Sequence, residues 1–101
     1  MFNVLIYKDK MFVQAWQVIS AALIDANKND FETKSKKFLI KVLPRTLVVN
    51  DKNYICLKDA YEILKTNPRL RIEEMRKMTG LGVESFMKKY ISDSYKYMER
   101  K

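Results

Sequence analysis

The chain of 101 residues has no histidine, one cysteine, two glycines and two prolines. Because Cys56 is alone, no intramolecular disulfide can form, and no histidine or cysteine cluster has the spacing of a zinc or iron–sulfur site. The chain also lacks a glycine-rich phosphate loop and a nucleophile with a base beside it. We therefore expect no metal, no cofactor and no enzymatic activity.

Long apolar runs are missing as well. No stretch approaches the ~18–20 apolar residues of a membrane-spanning helix, and residues 1–7 lack the basic lead and the cleavage signal of a secretory peptide. These absences predict a soluble, cytoplasmic protein without a membrane partner. A chain of this length holds one modest core. We expect a single domain over residues 1–101, with an N-terminal part, 1–56, and a C-terminal part, 57–101.

The sequence has an excess of positive charge. It contains 20 lysine and arginine residues against 12 aspartate and glutamate residues, a formal net charge of +8 at pH 7. Such a balance attracts phosphate polymers or anionic surfaces and carries no information about the fold. Residues 66–101 hold 9 basic against 5 acidic side chains, so part of the surplus is concentrated in the C-terminal part.

The N-terminal part begins with an apolar, strand-forming run, residues 2–7, which predicts an edge or capping strand. Residues 11–26 follow without glycine or proline and are apolar almost all round, which predicts a buried central helix. Two interpretations of this helix stay open: an ordinary core helix, or a helix with one face in a homodimer interface. That face comprises Phe12, Trp16, Ile19 and Leu23.

A second helix is predicted from a capping-box pattern at residues 29–32 to about Leu43, where Pro44 stops it, although residues 38–43 alone equally fit a strand. Its buried face would contain Phe31, Phe38 and Val42. Its lysines are Lys34, Lys36, Lys37 and Lys41. We interpret these lysines as a solvated face in preference to a phosphate-binding one.

Two β-rich runs, residues 46–49 and 54–57, flank four turn-forming residues, 50–53, and predict a β-hairpin. We expect this hairpin to pack its apolar residues on the N-terminal helices; the alternative is the wing of a partial N-terminal unit. The capping-box spacing of Asp59 and Glu62 then predicts a helix from about Leu57 to Thr66.

The segment of residues 63–90, ILKTNPRLRIEEMRKMTGLGVESFMKKY, has the spacing of two short amphipathic helices joined by a tight turn. Ile72, Met75 and either Met78 or Thr79 would share one face of the first helix. Residues 79–82, Thr-Gly-Leu-Gly, break it. The apolar spacing restarts in the second helix at Val83, Phe86 and Tyr90.

This segment resembles the helix-turn-helix superfamily and is similar to the core of AraC-type and winged-helix regulators, over about a third of the chain. The resemblance implies that Gly80 lies in the turn, that Leu81 fills the angle between the helices, and that the second helix reads DNA. There are departures from the pattern. Arg76 stands where a small residue is common, so we expect it to lean outward, Gly82 stands where serine or threonine often caps the second helix, and no wing follows the motif.

If the second helix enters the major groove, its outward side chains reach base edges. These are Glu84, Ser85, Lys88 and Lys89. The basic residues around the preceding helix are placed for phosphate contacts, which position a protein without specifying sequence. These are Arg69, Arg71, Arg76 and Lys77.

The sequence therefore predicts an α+β, mainly α-helical fold, with N-terminal helices and one β-hairpin followed by a tri-helical helix-turn-helix unit, and residues 92–101 extending its last helix. The predicted partners are double-stranded DNA and a second copy of the chain, as for a small transcription regulator from a virus, a mobile element or a prokaryotic chromosome. One alternative is a protein-interaction module, such as a viral or plasmid-borne inhibitor of a host nucleic-acid-binding protein. Another is a replication or recombination accessory factor. Function depends on the site and not on the fold.

Overall fold

The computed structural model describes residues 2–95 of the chain, with side chains through residue 92. Within those residues it is an α+β structure of five α-helices and a four-stranded antiparallel sheet. The strands are β1 (Val4–Tyr7), β2 (Lys10–Gln14), β3 (Leu47–Val49) and β4 (Lys52–Cys56). The helices are α1 (Ala15–Ala22), α2 (Lys28–Val42), α3 (Leu57–Leu64), α4 (Ile72–Thr79) and α5 (Val83–Tyr95), and 3₁₀ turns span Leu43–Arg45 and Pro68–Leu70.

Both hairpins turn through two residues in the left-handed region. Lys8 and Asp9 join β1 to β2 with φ angles of 50° and 63°, and Asn50 and Asp51 join β3 to β4 with φ angles of 52° and 64°. Two consecutive positive φ angles define the type I′ turn, whose twist matches that of the paired strands. The second hairpin confirms the prediction from sequence, with a turn of two residues in place of four. The first hairpin was not predicted.

The two hairpins meet through β2 and β4, which gives the strand order β1-β2-β4-β3 with β1 and β3 at the edges. The pairs between the central strands are Phe12–Cys56, Val13–Ile55 and Gln14–Tyr54. Each residue of β2 has its counterpart 42 positions later in β4, so exchanging the two hairpins leaves this register unchanged. Each hairpin leads directly into a helix. The units β1–β2–α1 and β3–β4–α3 are therefore a structural repeat with approximate two-fold symmetry.

The core lies on one side of the sheet. Val13 and Ile55, the central pair, are fully buried on the side where α1 and α3 pack against both central strands and against each other. The same cluster of buried residues continues through α3 to Phe86 and Ile91 of α5. Burying one such side chain contributes about 1.5–3 kcal/mol. A single core thus connects the N-terminal and C-terminal parts.

The predicted central helix over residues 11–26 is wrong at both ends. Residues 11–14 belong to β2, and α1 begins at Ala15 and ends at Ala22. The strand is favoured because β2 pairs with β1 on one side and β4 on the other, and such tertiary pairing overrides local helical periodicity. The predicted edge strand over residues 2–7 is confirmed as β1, which pairs only with β2.

The second helix is confirmed as α2, with a start earlier than predicted. Asn27 caps it, because its side chain accepts a hydrogen bond from the Asp30 backbone N–H at 2.8 Å. The helix ends at Val42, beside the 3₁₀ turn that contains Pro44. Its lysines are exposed, as expected: Lys34, Lys36, Lys37 and Lys41.

The third predicted helix is confirmed as α3, but Asp59 has a different role from the predicted cap. Its carboxylate accepts hydrogen bonds from Arg45 Nε at 3.1 Å and from Arg45 Nη2 at 3.0 Å. The hydrogen bond and the charge of Asp59 raise the pKa of the Arg45 guanidinium above its ordinary value. This bidentate pair ties the turn after α2 to the first turn of α3.

Among residues 2–95 no helix has the length and apolarity that a bilayer crossing requires. The last helix, α5, is described as far as Tyr95. Its predicted continuation over residues 96–101 lies outside the described residues.

Candidate nucleic-acid interface

The position of α5 is set by its buried side chains. Phe86, Met87 and Ile91 are 0–3% exposed and belong to the common core. The Phe86 ring stacks on the Tyr90 ring, with centroids 6.1 Å apart. Their spacing puts these side chains on one side of the helix, and α5 packs mainly against α3, where Ile63 is buried. This packing fixes which side of α5 faces solvent.

The four predicted base-contact residues all lie on the exposed side of α5. They are Glu84, Ser85, Lys88 and Lys89. Lys88 Nζ lies 3.9 Å from Glu84 Oε1, one helical turn away, and both side chains are about half exposed or more. Such an exposed pair is weak and yields readily to another partner. The structure therefore brings the predicted set together on one accessible surface.

The turn before α5 is built around Gly80. Its φ of 69° is in the left-handed region, as expected of a residue that ends a helix, and its backbone N–H donates to the Arg76 carbonyl at 3.1 Å. Leu81 is half-buried and packs against the core. Gly82 directly precedes α5, and its carbonyl accepts from the Phe86 N–H at 2.8 Å. Gly80 lies in the turn, as expected, whereas the placement of Leu81 in the angle between the helices stays a prediction.

The predicted apolar face of α4 is wrong in two of its three residues. Ile72 is 1% exposed, but Met75 is 42% and Met78 86% exposed. Of the eight residues of α4, all of them described, Ile72 alone is buried. The i, i+3 spacing is compatible with a helix but does not say how much of its face a neighbour covers, and α5 touches α4 only sparsely.

We expected from the sequence that Arg76 leans outward, and the structure shows that it does not. Its Nε donates to the Tyr61 hydroxyl at 3.1 Å, and its Nη2 lies 3.6 Å from Glu73 Oε1. The Tyr61 hydroxyl itself donates to the Glu73 carboxylate. Arg76 therefore connects α4 to the buried Tyr61 of α3, which satisfies a half-buried charge and withdraws it from phosphate contact.

The other predicted phosphate contacts divide into paired and unpaired side chains. Arg69 Nη1 lies 3.1 Å from Asp25 Oδ1, although its side chain is 76% exposed. Arg71 and Lys77 are exposed and have no ion-pair partner within the described part of the chain. Arg71, with a φ of 51°, directly precedes α4. These two and Arg69 remain available to an anionic ligand.

The predicted dimer face does not exist as one surface. Ile19 and Leu23 are 0% and 6% exposed inside the core of their own chain. Trp16 is 46% exposed on α1 and meets the Phe31 ring edge-on, with centroids 5.8 Å apart. Phe12 is in β2, where it points away from the core. The prediction failed because it assigned strand and helix residues to a single helix.

The side of the sheet away from α1 and α3 is a surface that the sequence did not predict. We call it the outer sheet face. Along each strand, residues on this face alternate with residues that face the core. Its apolar and aromatic residues are Leu5, Tyr7, Phe12, Leu47, Val49 and Tyr54; its other residues are Lys10, Gln14, Lys52 and Cys56. None of these ten residues is buried, and none belongs to the core cluster or to the side chains packed on it.

A signal for this surface was present in the sequence. Residues 10–14 and 52–56 each begin with lysine and contain an aromatic residue followed by a β-branched one, Phe12-Val13 and Tyr54-Ile55. The pair Lys8-Asp9 stands where Asn50-Asp51 stands in the second unit. Comparing the two hairpins at an offset of 42 residues would have identified β2.

An open cleft of about 700 Å³ lies between the end of α1, α2 and the segment after α3. Its charged lining is mixed: Asp25, Asp30, Lys34, Lys37 and Arg69. The Asp25–Arg69 pair closes part of it. No group of three or more acidic or cysteine side chains suited to a metal ion occurs among the described residues.

No protein-family model matches the chain, and no curated protein or solved structure is similar to it either.

Proposed function

We propose that this chain is a small DNA-binding regulator that places the exposed side of α5 in the major groove of duplex DNA. The observation that carries the proposal is the division of α5 into a buried side, anchored by Phe86, Met87 and Ile91, and an exposed side with polar and charged groups. A helix fixed on one side by a core presents the other in a defined orientation, as base recognition requires.

The exposed side chains match the chemistry of base edges. Lysine donates to the guanine O6 and N7 acceptors, glutamate accepts from the cytosine amino group, and serine does either. These roles go to Lys88 and Lys89, to Glu84 and to Ser85. The 13 residues of α5 extend about 20 Å, longer than the roughly 12 Å width of the groove.

The tri-helical helix-turn-helix interpretation belongs to this proposal. In it, α3, α4 and α5 are its three helices, and Gly80 makes the turn between the last two. Arg71 and Lys77, together with Arg69, supply phosphate contacts at the entry to α4 and along it. Arg76 is left out of this set, since its guanidinium is engaged with Tyr61 and Glu73.

The test is a fluorescence anisotropy titration of a mixed-sequence duplex at two salt concentrations with the K88A/K89A variant. Each lysine that faces the phosphate backbone contributes about 0.9 to the slope of log affinity against log salt. Lys88 and Lys89 contact base edges in this proposal, so we expect K88A/K89A to bind more weakly, with a smaller change in slope than the loss of two phosphate contacts would give. The matched control is K36A/K37A, which removes the same charge from the exposed surface of α2.

The control variant should stay close to the parent chain. Equal losses in K88A/K89A and K36A/K37A would mean that only net charge matters and that α5 is not the contact surface. No salt-sensitive binding at micromolar protein would contradict DNA binding altogether.

The exposed methionines of α4 favour a second candidate function, a protein-interaction module. Met75 and Met78 lie one turn apart and are 42% and 86% exposed. Methionine side chains adapt to the shape of a partner surface. A chain that occupies the nucleic-acid channel of a host protein, or that assists replication or recombination, would use these methionines beside Lys77. Absence of DNA binding in the titration above would leave this candidate in place.

A homodimer remains part of the first proposal, because two copies read a two-fold site. Size-exclusion chromatography with light scattering measures it directly. The mass of two chains is expected, and the mass of one chain would mean that a single α5 carries the contact.

A further inference from the structure

We propose that the outer sheet face is a separate binding site for single-stranded DNA, whose bases stack on Phe12 and Tyr54. These rings occupy equivalent positions in the two repeated units, one in β2 and one in β4. Neither ring packs on the core, and both are partly open to solvent. Aromatic rings on an accessible surface stack on the bases of an unpaired strand, whatever its sequence.

The spacing of the two rings suits neighbouring bases. Phe12 lies opposite Cys56 and Tyr54 lies opposite Gln14, so the two aromatic residues are diagonal neighbours on the central strands. In an antiparallel pair, the backbones of two diagonal neighbours are about 7–8 Å apart, which is within reach of aromatic side chains. Tyr7 lies beside this pair, and its ring contacts the Phe12 ring edge-on, with centroids 6.5 Å apart and an angle of 65° between the ring planes. Three aromatic side chains therefore line one continuous strip across β1, β2 and β4.

The charges around this strip favour a phosphate polymer as the occupant. Lys10 and Lys52 lie on the outer sheet face at equivalent positions of the two units, and Lys8 Nζ lies 5.4 Å from the Tyr7 ring centroid. The four strands contain no acidic residue, and the two hairpin turns add Asp9 and Asp51, so three lysines stand against two carboxylates around the strip. A second copy stacked face to face would bring these lysines near their own duplicates, whereas the phosphates of a nucleic acid neutralise them.

Thymine is favoured by the apolar side chains beside the rings. Leu5 and Leu47 are the cross-strand neighbours of Phe12 and Tyr54 on the outer sheet face. The thymine methyl group makes apolar contacts with such side chains. In the strip's centre Gln14 Oε1 already accepts from Asn3 Nδ2 at 2.9 Å, which leaves the Gln14 amino group to donate to a base. We therefore assign the site to thymine-rich single strands.

This inference goes beyond the proposed function and uses a different surface. The helix α5 packs on α3, and α3 covers the opposite side of the sheet. Residues on the outer sheet face and residues on α5 can thus be changed independently. Loss of one activity should leave the other in place.

The test measures the affinity of the full chain for a fluorescein-labelled oligo(dT) 15-mer by anisotropy, beside oligo(U) and a duplex. The variant F12L/Y54L keeps apolar area and removes both aromatic rings. Loss of stacking on one base lowers affinity at least about fivefold, so the loss of two stacked bases in the double variant should lower it at least about 25-fold. The variant Y54F keeps the ring and should bind within about twofold of the parent.

The matched control is W16L, which removes a half-exposed aromatic ring from α1. It should bind oligo(dT) like the parent, and F12L/Y54L should bind the duplex like the parent. Circular dichroism verifies that each variant is folded.

Four results would overturn the inference. They are no oligo(dT) binding at micromolar protein, equal losses in W16L and F12L/Y54L, tighter binding of oligo(U) than of oligo(dT), and conversion of a dimer to a monomer by F12L/Y54L. The third would assign the face to RNA, and the fourth would assign it to a second copy of the chain.

Discussion

Ile72 anchors α4, and its removal gives the sharpest test of how this helix is held. It is 1% exposed and is the buried residue of a helix whose methionines face solvent. Truncating a buried isoleucine to alanine costs about 2–5 kcal/mol, from lost transfer free energy and the cavity left behind. For I72A we expect about 3 kcal/mol, because the side chain is buried but stands at the first position of α4, where neighbours can partly close the cavity.

The assay is urea unfolding followed by circular dichroism, with a thermal melt alongside. A loss of about 3 kcal/mol corresponds to a fall in Tm of roughly 12–24 °C for a domain of this size. The matched control is M78A, on the same helix with a side chain 86% exposed, which should change the free energy of unfolding by less than about 0.5 kcal/mol. A cost below about 1 kcal/mol for I72A, or equal costs for both variants, would refute the role of Ile72 as the anchor.

Four further substitutions concern the links and turns, and the effect of each is measured by urea unfolding. Y61F removes the hydroxyl that joins α3 to the charged side chains of α4 and should cost about 1 kcal/mol; no loss would mean that water replaces the contact. G80A should cost about 1–2 kcal/mol through the left-handed backbone alone, since an added Cβ meets nothing within 4 Å, whereas G82S should stabilise by about 0.5 kcal/mol as a cap for α5. D9G should stabilise by about 0.5 kcal/mol by relieving its φ of 63°, and a loss would show that the side chain contributes more than the strain.

The elements that were predicted correctly are those that local sequence determines. The second hairpin carries Asn50-Asp51, residues that favour the required backbone conformation, between two strand-forming runs. The sides of α5 follow from a period of 3.6 residues, because Phe86 and Tyr90 repeat along one stripe. The accessible side, with Lys88 and Lys89, follows from the same period.

The elements that were missed depend on contacts distant in sequence. Residues 11–14 become a strand because they pair with residues 4–7 and 54–56. The pairing with residues 54–56 cannot be predicted from the local sequence. Arg76 turns inward because Tyr61, fifteen residues earlier, offers a hydroxyl. Met78 stays exposed because nothing covers that side of α4 among the described residues, which helical spacing alone cannot reveal.

Equivalent positions of the two hairpin–helix units can be compared for residue type. At some of them the core requires an apolar residue, and at others it does not. Val13 and Ile55 match because both are buried, and burial requires an apolar side chain at each. Phe12 and Tyr54 also match, although neither packs on the core. A partly exposed cross-strand aromatic contributes only about 0.2–1 kcal/mol to a sheet, so stability is a weak reason for an aromatic ring in both units, and ligand contact is a stronger one. F12L/Y54L removes two such rings and should therefore lower the free energy of unfolding by less than about 2 kcal/mol while lowering affinity for oligo(dT). A cost comparable to that of I72A would show that the two rings are structural.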